Sequence, residues 1–191
     1  MPTIDDFVYI SIRDLAIDER DKLLSNFCSG RESLDAFLRH NALDYANHNL
    51  TNTVLVRHIP SNGKLAAYFS LCAADIKLSD SERVHIDYHG GVGSALASFP
   101  SIKITQLAVD THFQRQGLGK LIIQSIEGLA FDSVIAARFL FVDAANEPNT
   151  LSFYEKCGFM EGLHYESMAQ HQHNRNTKAL FKDILGIVLP E

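Results

Sequence analysis

The spacing of apolar residues predicts a helix and a hairpin in the first half of the chain. Between residues 31 and 45, apolar side chains recur at intervals of three and four, which is typical of a helix with one buried face. These side chains are Leu34, Phe37, Leu38, Ala42 and Tyr45. Residues 53–58 and 65–74 are β-like runs, and Asn62 and Gly63 between them readily adopt the positive φ angles of a tight turn. The two runs therefore predict an antiparallel pair.

The pattern after residue 104 predicts a strand, a helix and a second strand. Residues 104–109 form a β-like run, and residues 139–142 are continuously apolar, as expected for a strand covered on both faces. A stripe of apolar side chains indicates the helix between them, namely Leu118, Leu121, Ile122, Ile126 and Leu129. Elements in this order imply a parallel crossover.

Two further segments complete the predicted secondary structure. A short helix is expected from Asn149, as its N-cap, to Gly158, which can take the left-handed conformation that follows a helix. The remainder of the chain, through residues 179–181, indicates one or two closing strands. Residues 75–101 contain the run Gly90-Gly91-Val92-Gly93, which has no fixed backbone preference, and we interpret them as a variable loop beside a site.

Length and composition favour one globular domain. The chain has 191 residues, of which 46% are hydrophobic and 21% charged, so a disordered or fibrous protein is excluded. The formal net charge of -6 is spread over both halves, which gives no sign of a basic nucleic-acid-binding module. Cys28, Cys72 and Cys157 lack a Cys-x-x-Cys spacing, so neither a disulfide framework nor a zinc knuckle is expected.

The sequence gives no indication of a secretory or membrane segment. Residues 1–6 lack the basic start and apolar centre of a secretory signal. The longest nearly apolar stretch, residues 65–74, is much shorter than the roughly 20 residues that a membrane-spanning helix needs. We therefore expect a cytoplasmic protein with no membrane partner.

A loop with two glycines stands between the strand predicted at 104–109 and its helix. It reads Gln114-Arg115-Gln116-Gly117-Leu118-Gly119-Lys120. Glycines let a ligand approach the backbone closely, and the N–H groups and dipole of a helix N-terminus favour an anion. The loop is a candidate pyrophosphate cradle, although two glycines at such a turn more often serve backbone geometry. Its spacing matches neither a P-loop nor the three-glycine dinucleotide fingerprint.

A second motif, Phe153-Tyr154-Glu155-Lys156-Cys157-Gly158-Phe159, follows the next predicted strand. With Leu107-Ala108-Val109-Asp110 and the glycine loop, it resembles the GCN5-related N-acetyltransferase (GNAT) family. The resemblance lies in that family's Gln/Arg-x-x-Gly-x-Gly/Ala and Phe-Tyr-Glu-Lys-x-Gly-Phe motifs and covers about residues 50–183.

An N-terminal stretch, residues 27–38, narrows the resemblance. It is similar to the Phe-x-Cys/Ser-Gly-x-x-x-Leu-Asp-x-Phe-Leu helix start of one subgroup, here from Phe27 to Leu38. That subgroup includes the toxin acetyltransferases of toxin–antitoxin systems, which modify aminoacyl-tRNA, and stand-alone relatives of unassigned substrate. The alternative interpretation is that the apolar members of this stretch are simply core residues, and we expect this for most of them. Membership of the subgroup does not determine the substrate.

The resemblance implies an α/β (α+β) fold in a single domain over residues 1–191. Its central sheet would be mixed and mostly antiparallel, with a splayed parallel strand pair and flanking helices. The cofactor core would span about residues 50–183 and an N-terminal helical segment about residues 15–48.

Acetyl-coenzyme A (acetyl-CoA) is the co-substrate that the resemblance implies. Its pyrophosphate would lie on the N–H groups of residues 115–120, and its pantetheine arm along the backbone of residues 107–109, where splayed strands leave backbone groups unpaired. The implied cofactor-binding residues are Leu107, Ala108, Val109, Gln114, Arg115, Gln116, Gly117, Leu118, Gly119, Lys120, Asn149 and Tyr154.

Tyr154 is the general acid that the resemblance implies, because the family's motif tyrosine points at the sulfur. A phenol with a pKa of about 10 is protonated at pH 7. The alternative is a core tyrosine whose hydroxyl is bonded to the backbone. A general base is not identified: many relatives carry a glutamate where this chain has Gln106, which cannot usefully accept a proton. Asp110 is expected to cap or brace the loop.

Histidines give two further candidates. His85, Asp87 and His89 fall in the expected acceptor loop and could deprotonate an amine, although exposed polar residues are the default interpretation. Three more histidines lack a carboxylate or cysteine partner at diagnostic spacing, so we predict no metal site. They are His164, His171 and His173.

We therefore predict an N-acetyltransferase that transfers acetyl from acetyl-CoA to a primary amine of a small molecule or a protein by direct attack. One alternative is a toxin-type enzyme acting on aminoacyl-tRNA, which the net charge of -6 opposes. The other is a non-catalytic acyl-CoA sensor, which the intact Tyr154 opposes. The sequence does not determine the acceptor, the physiological acyl group, an antitoxin partner, or whether the chain forms a homodimer.

Overall fold

The computed structural model describes residues 3–85, 96, 98–165 and 176–185. The strands within these ranges are β1 (Phe7–Ser11), β2 (Asn52–His58), β3 (Lys64–Ile76), β4 (Phe99–Val109), β5 (Phe139–Ala145), β6 (Met160–Glu161) and β7 (Thr177–Asp183). The helices are α1 (Ile17–Ser25), α2 (Glu32–Ala36), α3 (Ala42–Asn47), α4 (Asp80–His85), α5 (Leu118–Phe131) and α6 (Pro148–Lys156). The strands form a seven-stranded sheet in the order β1-β2-β3-β4-β5-β7-β6.

Antiparallel pairing dominates this sheet. β2 pairs antiparallel with β1 and β3, and β7 with β5 and β6. β4 and β5 run parallel, with α5 as the connection between them. The predicted fold class, a mixed sheet with one parallel pair and flanking helices, is confirmed.

The hairpin between β2 and β3 forms as its turn residues predict. Asn62 and Gly63 have φ angles of 54° and 70°. Arg57 donates from Nε to the carbonyl of Gly63 at 3.0 Å. A Cβ atom at Gly63 would lie 2.6 Å from Arg57 Nη2, so both the φ angle and the close guanidinium require glycine there.

The helix predicted at residues 31–45 is confirmed with an irregular centre. α2 continues through a π-helical turn at Phe37–Asn41 directly into α3. Phe27 and Leu38 are buried, and Leu34 and Phe37 pack against the same core, as expected for this segment. The edge strand β1 was not predicted, although its run Phe7-Val8-Tyr9-Ile10 consists of residues that favour strands.

Two sequence-based expectations are wrong. Residues 75–101 are not one loop, since β3 extends to Ile76, α4 begins at Asp80 and β4 begins at Phe99. Ser79 and Glu82 form a capping box for α4: the Ser79 N–H donates to Glu82 Oε2 at 2.6 Å, and the Glu82 N–H donates to Ser79 Oγ at 3.3 Å.

The other error concerns the start of α6. The helix begins at Pro148 with Glu147 at the cap position, so Asn149 is not the N-cap. Proline is favoured at a first helical position, because its missing N–H would have had no intrahelical partner. At the other end the prediction is confirmed, since Gly158, which follows the C-cap residue Cys157, has a φ of 85°.

The chain divides into two compact units, and each has its own core. The first comprises Met1–Cys72 and Ile104–Ser125, and the second Ala73–Lys103 and Ile126–Glu191. The largest buried side chains of the first core are Ile12, Phe27, Leu38, Leu55 and Tyr68. The second core is built on Ile76, Leu78, Phe99, Phe139, Phe141 and Phe181. None of the helices in the described ranges has the length and hydropathy needed to cross a membrane.

Candidate active site

The glycine loop leads from the end of β4 into α5. Residues 111–117 form a series of turns, in which Arg115 and Gly117 have φ angles of 61° and 90°. A Cβ atom at Gly117 would meet nothing within 4 Å, so the space next to this backbone is open. The Leu121 N–H donates to the Gly117 carbonyl at 3.1 Å and starts the helical ladder. The N–H groups of residues 118–120 precede that ladder, as at any helix N-terminus, and suit an anion.

Asp110 anchors the beginning of this loop. Its carboxylate is fully buried and accepts the N–H groups of Cys28 at 3.1 Å and of His112 at 3.0 Å, and the His112 ring at 2.8 Å. Burial raises the pKa of Asp110, but these hydrogen bonds and the charge of Lys64 outweigh burial and hold it below its ordinary value. The expectation that Asp110 braces the loop is confirmed.

Two glutamine side chains brace the loop from within. Gln114 Nε2 donates to the carbonyl oxygens of Ser29 at 2.8 Å and Val109 at 2.9 Å. Gln116 Nε2 donates to the carbonyl of His112 at 2.7 Å. Both amides therefore fix the loop's conformation, and their contact with a cofactor stays a prediction.

Strand residues 107–109 reach the loop at the end of β4. Ala108 is 5% exposed and its side chain packs in the first core, whereas Leu107 and Val109 are half-buried. Gln106 is also half-buried and carries no ionisable group. The two cationic residues of the predicted set are exposed: Arg115 lies in the loop and Lys120 in the first turn of α5.

Tyr154 lies in the second unit, two residues before the end of α6. It is 6% exposed, and its ring centroid is 5.0 Å from that of Phe153 and 5.2 Å from that of Phe159. Burial, and then the neighbouring Cys157, raise the pKa of its phenol above the ordinary value. The side chain therefore keeps its proton at neutral pH, as a proton donor must. Asn149 is exposed at the second position of α6.

Several of the predicted residues lie outside the part of the chain that the structure describes. The side chain of His85, and Asp87, His89, His171 and His173 as a whole, lie outside the described residues. In the parts of the chain that are described, no group of three His, Cys, Asp or Glu side chains is arranged to hold a metal ion.

A polar cleft in the first unit was missed by the sequence analysis. It has a volume of about 540 Å³ and lies between α1 and the β2–β3 hairpin. Its lining includes three cations, Lys22, Arg57 and Lys64, and one carboxylate, Glu19, which pairs with Arg57 at 2.7 Å. Within the described ranges, Lys22 and Lys64 form no ion pair. Because these cations come from separate segments, no spacing in the sequence could have indicated the cleft.

Comparison with known proteins agrees with this arrangement. Residues 17–159 match the model of the acetyltransferase (GNAT) family. The chain belongs to the acetyltransferase (GNAT) family, and the enzyme class is acyltransferase. No curated protein matches the chain.

Solved structures of toxins share the fold. A Tyr-to-Phe mutant of the toxin AtaT is 22% identical, with a TM-score of 0.66, and the match covers 98% of this chain and 94% of that one. AtaT complexed with acetyl-methionyl-tRNAfMet is 20% identical, with a TM-score of 0.66 and coverage of 93% and 95%. A Tyr-to-Phe mutant of KacT is 19% identical, with a TM-score of 0.66 and coverage of 95% and 97%.

Proposed function

We propose that this acetyltransferase binds acetyl-CoA at the glycine loop and transfers the acetyl group to a primary amine of a small molecule or a protein. The observation that carries the proposal is the open backbone at Gly117, directly ahead of the N–H groups that begin α5. An anionic pyrophosphate is the group that such a helix start accommodates.

The described residues fit acetyl-CoA. The N–H groups of residues 115–120 would receive the pyrophosphate, and exposed Arg115 and Lys120 would add positive charge. The backbone of residues 107–109 would accept the pantetheine arm, and Asn149 and Tyr154 would complete the set. Acetyl-CoA bound there would supply an acetyl group activated as a thioester.

In this proposal Tyr154 protonates the departing sulfur. The acceptor's neutral nitrogen forms the new C–N bond, the C–S bond breaks, and the electron pair stays on sulfur. Tyr154 then delivers its phenol proton to that sulfur and regains one from water, while the nitrogen releases its own proton to water. Neither Asp110, whose oxygens already accept three hydrogen bonds, nor Gln106 is suited to be a base.

Aminoacyl-tRNA is a second candidate acceptor, and the polar cleft favours it. Lys22 and Lys64 line the cleft and would contact a phosphate there, and Arg57 is held in place by Glu19 and the Gly63 carbonyl. AtaT, whose structure was solved in complex with acetyl-methionyl-tRNAfMet, shares the fold over 93% of this chain and supports this candidate as well. A homodimer and an antitoxin partner stay open in either case.

Thiol release from acetyl-CoA tests both acceptors. The purified protein is offered polyamines, amino acids, amine-containing antibiotics, peptides and charged tRNA, with a no-acceptor reaction as the control. Release that depends on small amines or peptides would support the first proposal. Release that depends on charged tRNA alone would rank the second candidate above it. Cofactor binding without turnover on any acceptor would contradict catalysis and favour a sensor.

A further inference from the structure

Three hydrogen bonds join the 28–30 segment, which precedes α2, to the glycine loop. The Cys28 N–H donates to Asp110 Oδ2 at 3.1 Å, and the Thr111 N–H donates to the Cys28 carbonyl at 2.8 Å. The third is the bond from Gln114 Nε2 to the Ser29 carbonyl, at 2.8 Å. The loop expected to receive the cofactor is therefore attached to a piece of chain more than 80 residues upstream.

Asp35 in turn fixes the 28–30 segment. It is 3% exposed, and its carboxylate accepts the Ser29 hydroxyl at 2.6 Å and the Ser29 N–H at 3.0 Å and 3.2 Å to its two oxygens. A buried carboxylate is costly unless it is hydrogen-bonded, so these bonds hold Ser29 in place firmly. Asp35 therefore sets the position of the Ser29 carbonyl, and this carbonyl accepts the hydrogen bond from Gln114.

Two further features restrict the segment. Arg39 Nη2 donates to the Phe27 carbonyl at 3.3 Å and lies 3.9 Å from Asp35 Oδ2, which places a cation beside the buried charge. Gly30 has a φ of 79°, and a Cβ atom there would lie 3.6 Å from Thr111 Cγ2. The chain thus turns sharply against the loop at a position that favours glycine.

We propose that Asp35 is a positioning residue for acetyl-CoA: it acts through Ser29 and Gln114 to hold the glycine loop in its binding conformation. The inference rests on the cofactor role proposed above for that loop. Asp35 is bonded to Ser29 and needs no contact with the ligand, so its effect is on the geometry of the backbone N–H groups.

A loop built from turns needs such an anchor. Residues 111–117 belong to no helix or strand, and Arg115 has a φ of 61°, which an L-residue adopts at a cost. Fixing the loop before the ligand arrives removes the conformational entropy that binding would otherwise have to overcome. Gln114 links the anchor to the strand as well, because the same amide nitrogen donates to the Val109 carbonyl.

The substitution Asp35→Asn tests the role, because it keeps the size of the side chain and removes the charge. Asp44→Asn is the matched control, since Asp44 lies nearby on α3 with a side chain that is 71% exposed. We expect the dissociation constant for acetyl-CoA, measured by calorimetry, and the KM for acetyl-CoA to rise about tenfold in Asp35→Asn. kcat at saturating cofactor should stay within about twofold, and Asp44→Asn should match wild type.

Hydrogen exchange without any ligand gives a second readout. The Thr111 N–H donates to the Cys28 carbonyl and the Cys28 N–H donates to Asp110, so both bonds depend on the position of the 28–30 segment. The two amides should therefore exchange faster in Asp35→Asn than in Asp44→Asn. Combining Asp35→Asn with Gln114→Ala should weaken cofactor binding much less than additively, since both changes break the same connection.

The outcomes separate this proposal from the proposed function. A lower melting temperature in Asp35→Asn with unchanged cofactor affinity and unchanged exchange would make Asp35 a core residue only and overturn the inference. Failure of the wild-type protein to bind acetyl-CoA would overturn the function instead. If Asp35→Asn does not fold, Ser29→Ala decides, since it deletes the 2.6 Å hydroxyl bond and keeps the N–H bonds. Unchanged affinity together with unchanged exchange of the Thr111 and Cys28 amides in that variant would also refute the role.

Discussion

Replacing Tyr154 by phenylalanine removes one oxygen from a ring that is held between aromatic neighbours. Phe153 and Phe159 contact the ring at centroid distances of 5.0 Å and 5.2 Å, and phenylalanine keeps both contacts. Losing the hydroxyl should change the free energy of unfolding by about 1 kcal/mol at most, which shifts the melting temperature by roughly 2–4 °C in a chain of this size. The variant should therefore fold and bind acetyl-CoA.

Turnover should fall much further than stability. General acids and bases typically contribute about a hundred- to ten-thousand-fold, so we expect kcat to drop at least about tenfold, with the KM for acetyl-CoA little changed. A tenfold loss corresponds to about 1.4 kcal/mol in the activation barrier. Because burial raises the pKa of Tyr154, the phenol keeps its proton above its ordinary pKa of about 10, and it should cause no alkaline decline in kcat below that pH.

Steady-state kinetics of the purified variant measure this effect, with circular dichroism as the check on folding. Tyr165→Phe is the matched control: it removes a phenol from the same unit, where Tyr165 accepts the Lys77 N–H at 3.2 Å. Tyr165→Phe should keep wild-type kcat. If kcat of Tyr154→Phe stays within about twofold of wild type while chemistry limits the rate, Tyr154 is structural and the proton comes from another source.

Three further predictions concern the loop and the cleft. Gly117→Glu should abolish the rise in melting temperature that acetyl-CoA causes in the wild type, because its carboxylate repels the pyrophosphate. The control Gly117→Ala, which strains the same φ angle without adding charge, should keep part of that rise. An equal loss in both variants would point to backbone geometry alone. Asp110 has a lowered pKa, so its contribution to stability is present above about pH 4 and is lost as the pH falls through the folded-state pKa. In thermal melts at pH 3 to 7, the melting temperature of Asp110→Asn should fall less steeply towards acid pH than that of the wild type. An unchanged acid dependence would contradict this prediction. If charged tRNA is the acceptor, Lys22→Glu and Lys64→Glu should each reduce the salt slope of its binding, the slope of log binding constant against log salt concentration, by about one. Lys77→Glu, outside the cleft, should leave this slope unchanged. Equal slopes in all three variants would exclude the cleft as a phosphate site.

Much of the fold was predictable because its signals are local. The hairpin turn at Asn62 and Gly63 and the left-handed Gly158 are set by single residues whose backbone preferences are strong. α4 also carries a local signal, the Ser79-x-x-Glu82 capping box. β1 carries one too, the run Phe7-Val8-Tyr9-Ile10 of residues that favour strands, but it is short and lacks the polar–apolar alternation that marks a half-buried strand.

The candidate site was predictable only where its residues are consecutive. The glycine loop and the Tyr154 motif are each a continuous run, so the sequence pattern indicated both. The anchoring of the loop was not visible, because Cys28 and Asp110 are 82 residues apart and the Ser29 group that accepts Gln114 is a backbone carbonyl. A carbonyl has no side-chain identity, so a sequence pattern cannot specify it.

The net charge of -6 is a poor guide to the acceptor once the cleft is considered. At physiological ionic strength, charges separated by more than about 8 Å in solvent are largely screened from one another. A phosphate in the cleft would therefore interact mainly with Lys22, Arg57 and Lys64, which together exceed the single carboxylate of Glu19 in its lining. The charge of the rest of the chain would affect encounter rates at low salt more than the bound state. The overall charge therefore carries little weight against the second candidate acceptor, and the salt slopes of the two lysine variants test that candidate directly.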